Sequence, residues 1–316
     1  MFNPVPIPFV AAATHTKAHE WIRTLQQAMP DEIIVQLSDM SAADRALCKV
    51  AIVANPNPAD LTLLPQLQWI HSVWAGVERL VHDLGDSGLK IVRLVDPQLA
   101  NTMAEAVLAW TLYLHRDMPA YARQQAQRRW QSRPYVRPGR KTVSLLGLGA
   151  LGEAAAMRLI AAGFQVCGWS RNRRQVPNVE CFSGEAELLK MLAKTDILVC
   201  LLPLTQDTHG LLNAERLAHL APGASIINFA RGPILVEQDL LLALEQKQLS
   251  HAVLDVFEVE PLPVESAIWQ HPDITVLPHC AAPTDLETAS RIVARNIANY
   301  RNSGIIPACV NLDRGY

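Results

Sequence analysis

Residues 141–174 read KTVSLLGLGALGEAAAMRLIAAGFQVCGWSRNRR, and the order of patterns within them decides the fold. Thr142–Leu146 is a short apolar run with β-branched residues, the pattern of a buried strand. The turn Gly147-Leu148-Gly149-Ala150-Leu151-Gly152 comes next, and after it an Ala-rich helical segment ends at Gly163. Phe164–Trp169 supplies a second apolar strand. A G-x-G-x-x-G turn between strand and helix is a dinucleotide site. Gly147 allows the tight turn, Gly149 lets backbone approach a pyrophosphate, and Gly152 lets the helix pack closely on the sheet. The free N–H groups at the helix start would hold the phosphate charge.

The end of the second strand indicates which dinucleotide. An NAD site usually carries an Asp or Glu about twenty residues beyond the turn, bonded to the ribose hydroxyls. Here Trp169 is followed by Ser170, Arg171, Arg173 and Arg174. A carboxylate would repel a ribose 2′-phosphate, whereas a hydroxyl and guanidinium forks bind one. NADPH is therefore expected, with NADH weaker.

The chain has 316 residues, 50% of them hydrophobic, and a formal net charge of −2. That is enough for two domains with real cores. The charge balance gives no footing for nucleic acid, and no apolar run reaches the length of a membrane span. The first residues read as a strand and not as a signal peptide, so a cytoplasmic protein is expected. Six cysteines lie far apart without C-x-x-C spacing, mostly in apolar runs. Buried free thiols are expected, with neither metal nor disulfide.

From residue 1 to about 95, apolar runs at Ile7–Ala11, Ile33–Leu37, Val50–Ala54, Trp69–Val73 and Ile91–Leu94 read as strands. Helical patterns occupy Ala18–Met29 and Ser41–Lys49. This alternation predicts a parallel sheet covered by helices, without a phosphate loop of its own. Asp96-Pro97 breaks the pattern, and Thr102-x-x-Glu105 resembles a capping box opening a long helix. Residues 121–140, rich in Arg, Gln and then Pro, read as an exposed excursion.

Further apolar strands are predicted at Asp196–Leu202, Ala224–Phe229, His251–Val256 and Ile274–Leu277. Helices are expected at Ala186–Ala193, Ala214–Leu220 and Glu237–Lys247, and a last one over Leu286–Tyr300. The expected architecture is α/β, with two parallel-sheet domains, one Rossmann-like and one flavodoxin-like, and a substrate cleft between them. Residues 1–98 and 285–316 form the substrate-binding domain in this reading, and residues 99–284 the dinucleotide-binding domain.

Ligands of open parallel sheets bind outside the carboxyl ends of the strands. Three ionisable residues come after such ends: Arg231 in NFARG, Glu260 in EVEPLP, and His279 in LPHC. Singly, each has a plain explanation as a solvated Arg, a helix-start Glu or a core His. Together they suit a 2-keto acid. Arg231 can grip its carboxylate and carbonyl, and His279 can protonate the carbonyl oxygen during hydride transfer. Glu260 would favour the imidazolium and orient it. Asp255 is expected to face the cofactor. Trp74-Ala75-Gly76-Val77, after the Trp69–Val73 strand, offers bare backbone N–H groups for a substrate carboxylate, or is an ordinary strand-to-helix turn.

These residues resemble those of the D-2-hydroxyacid dehydrogenases. The shared motifs are GLGALG, LLPLTQDTHGLLN, APGASIINFARG, LDVFEVEPLP and the His of LPHCAAPT, in that order along most of the chain. Within that family the chain looks most like the NADPH-dependent A-type glyoxylate/hydroxypyruvate reductases, through CGWSRNRR, WAGVERL and the terminal RGY. The resemblance implies Arg231, Glu260 and His279 as the catalytic set. It also implies Leu202, Pro203, Thr208 and Ala230 beside the cofactor, reduction of glyoxylate and hydroxypyruvate, and a homodimer built through the cofactor domain. Trp74 stands where relatives often carry a smaller residue, and Val236-Glu237 replaces a more usual Val-Asp. Glu260 argues against a formate dehydrogenase, which usually pairs its histidine with glutamine. Two alternatives stay open: another keto-acid specificity, or a dinucleotide-regulated corepressor-like scaffold of the same fold.

Overall fold

The computed structural model describes residues 5–12 and 15–312. The terminal Arg314-Gly315-Tyr316 lies outside them. The chain divides into two compact units, Met1–Gln98 with Thr284–Tyr316, and Leu99–Pro283.

The first unit is built on β1 (Ile7–Ala11), β2 (Ile34–Gln36), β3 (Val50–Ala54), β4 (Trp69–Ser72) and β5 (Lys90–Val92). All pair in parallel, in the order β2-β1-β3-β4-β5. This is the flavodoxin-like order. Every residue of β3 is buried, as a central strand covered on both faces requires. Helix α1 (Ala18–Ala28) buries Ala18, Trp21 and Leu25, an apolar stripe at helical spacing. Helix α2 (Ala42–Arg45) is only four residues long, where Ser41–Lys49 is the predicted span. Leu47, which extends the apolar pattern, stands exposed, so no buried face carries the helix further. The sequence pattern misses α3 (Pro58–Leu61) and α4 (Glu78–Leu84). The first is announced only by a cap, Asn57, followed by proline at the first helical position.

Helix α5 (Pro97–His115) begins in the first unit and continues into the second. Its start corrects the expected capping box: Thr102 and Glu105 lie inside the helix. Asp96 Oδ1 accepts the Gln98 N–H at 2.8 Å, and Pro97 takes the first turn, where its missing N–H costs nothing. The Asp-Pro pair is thus an initiator and not a break. A further helix, α6 (Met118–Ala126), occupies the start of the predicted excursion, and residues 127–137 after it are exposed.

The second unit contains β6 (Thr142–Leu146), α7 (Ala150–Ala161), β7 (Gln165–Trp169), β8 (Glu180–Phe182), α8 (Glu185–Leu192), β9 (Ile197–Cys200), α9 (Ala214–Ala218), β10 (Ala224–Asn228), α10 (Glu237–Glu245), β11 (Leu249–Leu254) and β12 (Ile274–Val276). Its sheet is parallel throughout and ordered β12-β11-β10-β9-β6-β7-β8. Strand order reverses beside β6, the switch point of a Rossmann sheet. Strand β8, absent from the sequence pattern, is a three-residue edge pairing. The chain then returns to the first unit as α11 (Leu286–Ser303), whose Ala289, Val293 and Ile297 are buried in one cluster with Trp21 and Trp69. Asp96 Oδ2 accepts the Thr288 hydroxyl of α11 at 2.6 Å, so one carboxylate serves both helix starts. Of the six cysteines, Cys48, Cys167 and Cys200 are buried and Cys181 is half-buried, whereas Cys280 and Cys309 are exposed, which corrects the expectation of buried thiols at those two positions.

Candidate active site

The glycine turn sits at the carboxyl end of β6, on the switch point. Gly147 has φ = 106°, and a Cβ there would lie 3.0 Å from the Leu201 carbonyl oxygen. A Cβ on Gly152 would run into the Gly147 carbonyl. Only glycine allows the turn and the helix to meet this closely. Gly149 caps α7 without a side-chain acceptor, which leaves first-turn N–H groups for an anion. Gly149 and Ala150 are exposed there, and Leu151 is half-buried. Leu148 is different: its side chain is buried against Gly168, where a Cβ would overlap its methyl groups. Only the Leu148 backbone serves the turn. The cradle fits a dinucleotide pyrophosphate.

Beyond β7 the Trp169 indole donates to the Gly184 carbonyl at 2.9 Å, and the Ser170 hydroxyl donates to the Asn172 carbonyl at 2.8 Å. The three arginines are each paired. Arg171 meets Asp207 at 3.1 Å, Arg173 meets Glu187 at 3.2 Å, and Arg174 meets Glu153 at 3.0 Å. Glu187 is fixed further by the Ser183 N–H at 2.7 Å, which holds its carboxyl below the usual range. After β9, Leu202 is buried and Pro203 half-buried. The Thr208 hydroxyl donates to the Pro203 carbonyl at 2.7 Å and accepts the Thr205 N–H at 2.8 Å, folding this loop on itself.

Three consecutive strands, β10, β11 and β12, deliver Arg231, Glu260 and His279 from their carboxyl ends. Arg231 leaves a turn held by buried Asn228. The Asn228 Oδ1 accepts the Ala230 N–H at 3.2 Å, and its Nδ2 donates to the Arg231 carbonyl at 3.1 Å. Arg231 itself donates from Nη1 to the Ala230 carbonyl at 2.7 Å. A side chain on Gly232 would overlap the Phe257 backbone, so this turn lies directly on the segment leading to Glu260. Glu260 is a bridge: Oε1 accepts the Phe257 N–H at 3.0 Å, and Oε2 faces His279 Nδ1 at 2.7 Å. The His279 side chain stays 53% exposed. With Nδ1 turned to the carboxylate, Nε2 is the nitrogen available to a substrate.

His279 has φ = 52°, in the left-handed region. Asp255 holds it there. The Asp255 carbonyl accepts the His279 N–H at 3.0 Å, and its buried carboxylate accepts the Cys280 and Ala281 N–H groups at 2.7 and 2.9 Å. Both carboxylate oxygens thus accept backbone N–H groups and tie the histidine turn to the end of β11. Asn228, which holds the Arg231 turn, is the residue that sequence reasoning missed; the available signal was a polar residue ending a continuous apolar strand. Burial and the Asp255 charge push the Cys280 thiol up, which keeps it protonated beside the histidine.

Trp74–Val77 belongs to the first unit, between β4 and α4. Trp74 donates its N–H to the Ser72 hydroxyl at 3.0 Å, and its ring meets Trp21 edge-on at 5.6 Å. Ala75 and Gly76 are half-buried and Val77 is buried. Among the described residues no His, Cys, Asp and Glu cluster is arranged to hold a metal ion, and no helix is long and apolar enough to cross a membrane.

A profile of the D-isomer specific 2-hydroxyacid dehydrogenase NAD-binding domain matches residues 108–281. A glyoxylate/hydroxypyruvate reductase A of Serratia proteamaculans is 37% identical over 286 residues, covering 89% of this chain and 90% of its own. A D-isomer specific 2-hydroxyacid dehydrogenase of Xanthobacter autotrophicus, solved with NADPH and MES, superposes with a TM-score of 0.91 at 37% identity, over 98% of this chain and 100% of that one. The NADPH-dependent glyoxylate/hydroxypyruvate reductase of Sinorhizobium meliloti, solved with NADP and sulfate, gives a TM-score of 0.89 at 33% identity, over 98% and 100%. Glycine turn, strand-end triad and sequence likeness agree: this chain belongs to the D-isomer specific 2-hydroxyacid dehydrogenase family.

Proposed function

We propose that this protein reduces small 2-keto acids with NADPH, glyoxylate to glycolate and hydroxypyruvate to D-glycerate. The observation that carries the reading is the Arg231, Glu260 and His279 set on three neighbouring strand ends, with Glu260 and His279 in contact at 2.7 Å. Related proteins of Serratia and Sinorhizobium bear the name of that activity, and the latter is NADPH-dependent.

NADPH, when bound, supplies the hydride that reaches the carbonyl carbon. The backbone of residues 147–152 would hold its pyrophosphate and Ser170, Arg171, Arg173 and Arg174 its ribose phosphate, with Trp169, Leu202, Pro203, Thr208 and Ala230 alongside. Arg231 takes the substrate carboxylate and draws charge toward the carbonyl oxygen through its planar donors. His279 gives its Nε2 proton to that oxygen, which completes the hydroxyl group of the product. Glu260 steadies the imidazolium before transfer. The Trp74–Val77 turn is assigned to the substrate carboxylate through the backbone N–H groups of Ala75 and Gly76, that of Trp74 being held by Ser72. A homodimer assembled through the second unit belongs to the same reading, supported by the exposed Trp130 and Tyr135 after α6, and so does a cytoplasmic location.

The test is NADPH oxidation by the purified protein with a panel of glyoxylate, hydroxypyruvate, pyruvate and longer keto acids, with Arg231→Ala as control. Turnover on glyoxylate and hydroxypyruvate that the variant loses is expected. Absent turnover on every keto acid, with NADPH binding intact, would point to a scaffold.

A further inference from the structure

We propose that Asp207 competes with the cofactor's ribose 2′-phosphate for Arg171, and so limits how strongly the site prefers NADPH over NADH. The inference rests on the reading that Arg171 receives that phosphate. Arg171 stands just beyond the carboxyl end of β7, and Asp207 lies in the loop after β9. Those strands flank β6 on its two sides. Adjacent strands are about 4.8 Å apart, so the 3.1 Å ion pair closes across the end of the strand that carries the glycine turn. The other two arginines are tied to helices instead, Arg173 to Glu187 of α8 and Arg174 to Glu153 of α7.

The three cations are matched by three carboxylates, so the loop presents little net charge to an incoming phosphate. Of the three acids, Asp207 is the most exposed, at 76%. Glu187 is also anchored by the Ser183 N–H. A phosphate reaching Arg171 displaces Asp207 or sits beside it, and two anions at one guanidinium repel each other. NADH brings only hydroxyl groups to the same place and leaves the ion pair undisturbed. Neutralising Asp207 therefore favours one cofactor and not the other.

The experiment titrates NADPH and NADH into the unmodified protein, Asp207→Asn and Arg171→Ala, reading cofactor fluorescence without substrate. Asp207→Asn is expected to tighten NADPH about two- to fivefold, the worth of an exposed ion pair, and to leave NADH unchanged. The gain should shrink at high salt. Arg171→Ala should weaken NADPH. If Asp207→Asn leaves NADPH affinity unchanged, weakens it, or tightens NADH equally, while Arg171→Ala weakens NADPH, the competition is wrong and the phosphate site stands. If Arg171→Ala leaves NADPH affinity as it was, both are wrong.

Discussion

His279, the proposed proton donor, has a backbone conformation that most side chains avoid, and Asp255 sustains it. Three N–H groups, those of His279, Cys280 and Ala281, converge on this one aspartate. Asp255→Asn replaces one carboxylate oxygen by a donor that faces an N–H inside the protein. A loss of about 1–3 kcal/mol is expected in urea unfolding, together with a fall in kcat larger than any change in NADPH affinity. His279→Gln should lower kcat at least 100-fold in the keto-acid assay while NADPH affinity, read by fluorescence titration, stays nearly as it was. Retention of most activity would remove His279 from proton delivery. The ionisable residues were legible in the sequence because each comes after an apolar run. Their supports are less legible: the sequence marks Asp255 only as a residue facing the cofactor and does not mark Asn228, because the backbone groups they hold come within reach only in the folded turns.

At the scale of elements, the switch point is where the glycine turn has least freedom. Gly152→Ala should abolish NADPH binding and lower thermal stability, since the added methyl meets backbone and not a movable side chain. Removing Asp96 tests the corrected start of α5. Asp96→Ala deletes a helix cap and the Thr288 contact, and should cost about 1–2 kcal/mol in unfolding. The strands were readable because parallel sheets covered on both faces need unbroken apolar runs, as Val50–Ala54 shows. The three-residue edge β8 and the one-turn helix α3 leave no such period. The α5 start is ambiguous in sequence because Asp-Pro signals both a break and an N-terminus. The fold resolves it by bringing the Gln98 N–H and the Thr288 hydroxyl to the two oxygens of Asp96.

At the scale of the molecule, each unit buries a neutral histidine. In the first, His71 Nδ1 faces the Ser72 carbonyl at 2.9 Å and Nε2 faces the Asn296 amide nitrogen at 2.9 Å. In the second, His251 Nε2 meets the Thr275 hydroxyl at 2.9 Å. Burial pulls both rings down to about 4 from 6.5. The unfolded chain takes up these protons near pH 6.5 and the folded one only near 4. Their contribution is therefore complete above pH 6.5, falls as pH drops, and levels off near 4. The loss is on the order of 3 kcal/mol per histidine, to be read from urea unfolding across that window. The interrupted first unit has a different consequence, during synthesis. Ala289, Val293 and Ile297 emerge from the ribosome only after all of Leu99–Pro283 has been made, on the order of ten seconds or more at ~5–20 residues per second. Until then the nascent chain holds Trp21 and Trp69 beside a bare apolar seam, a ready target for a chaperone.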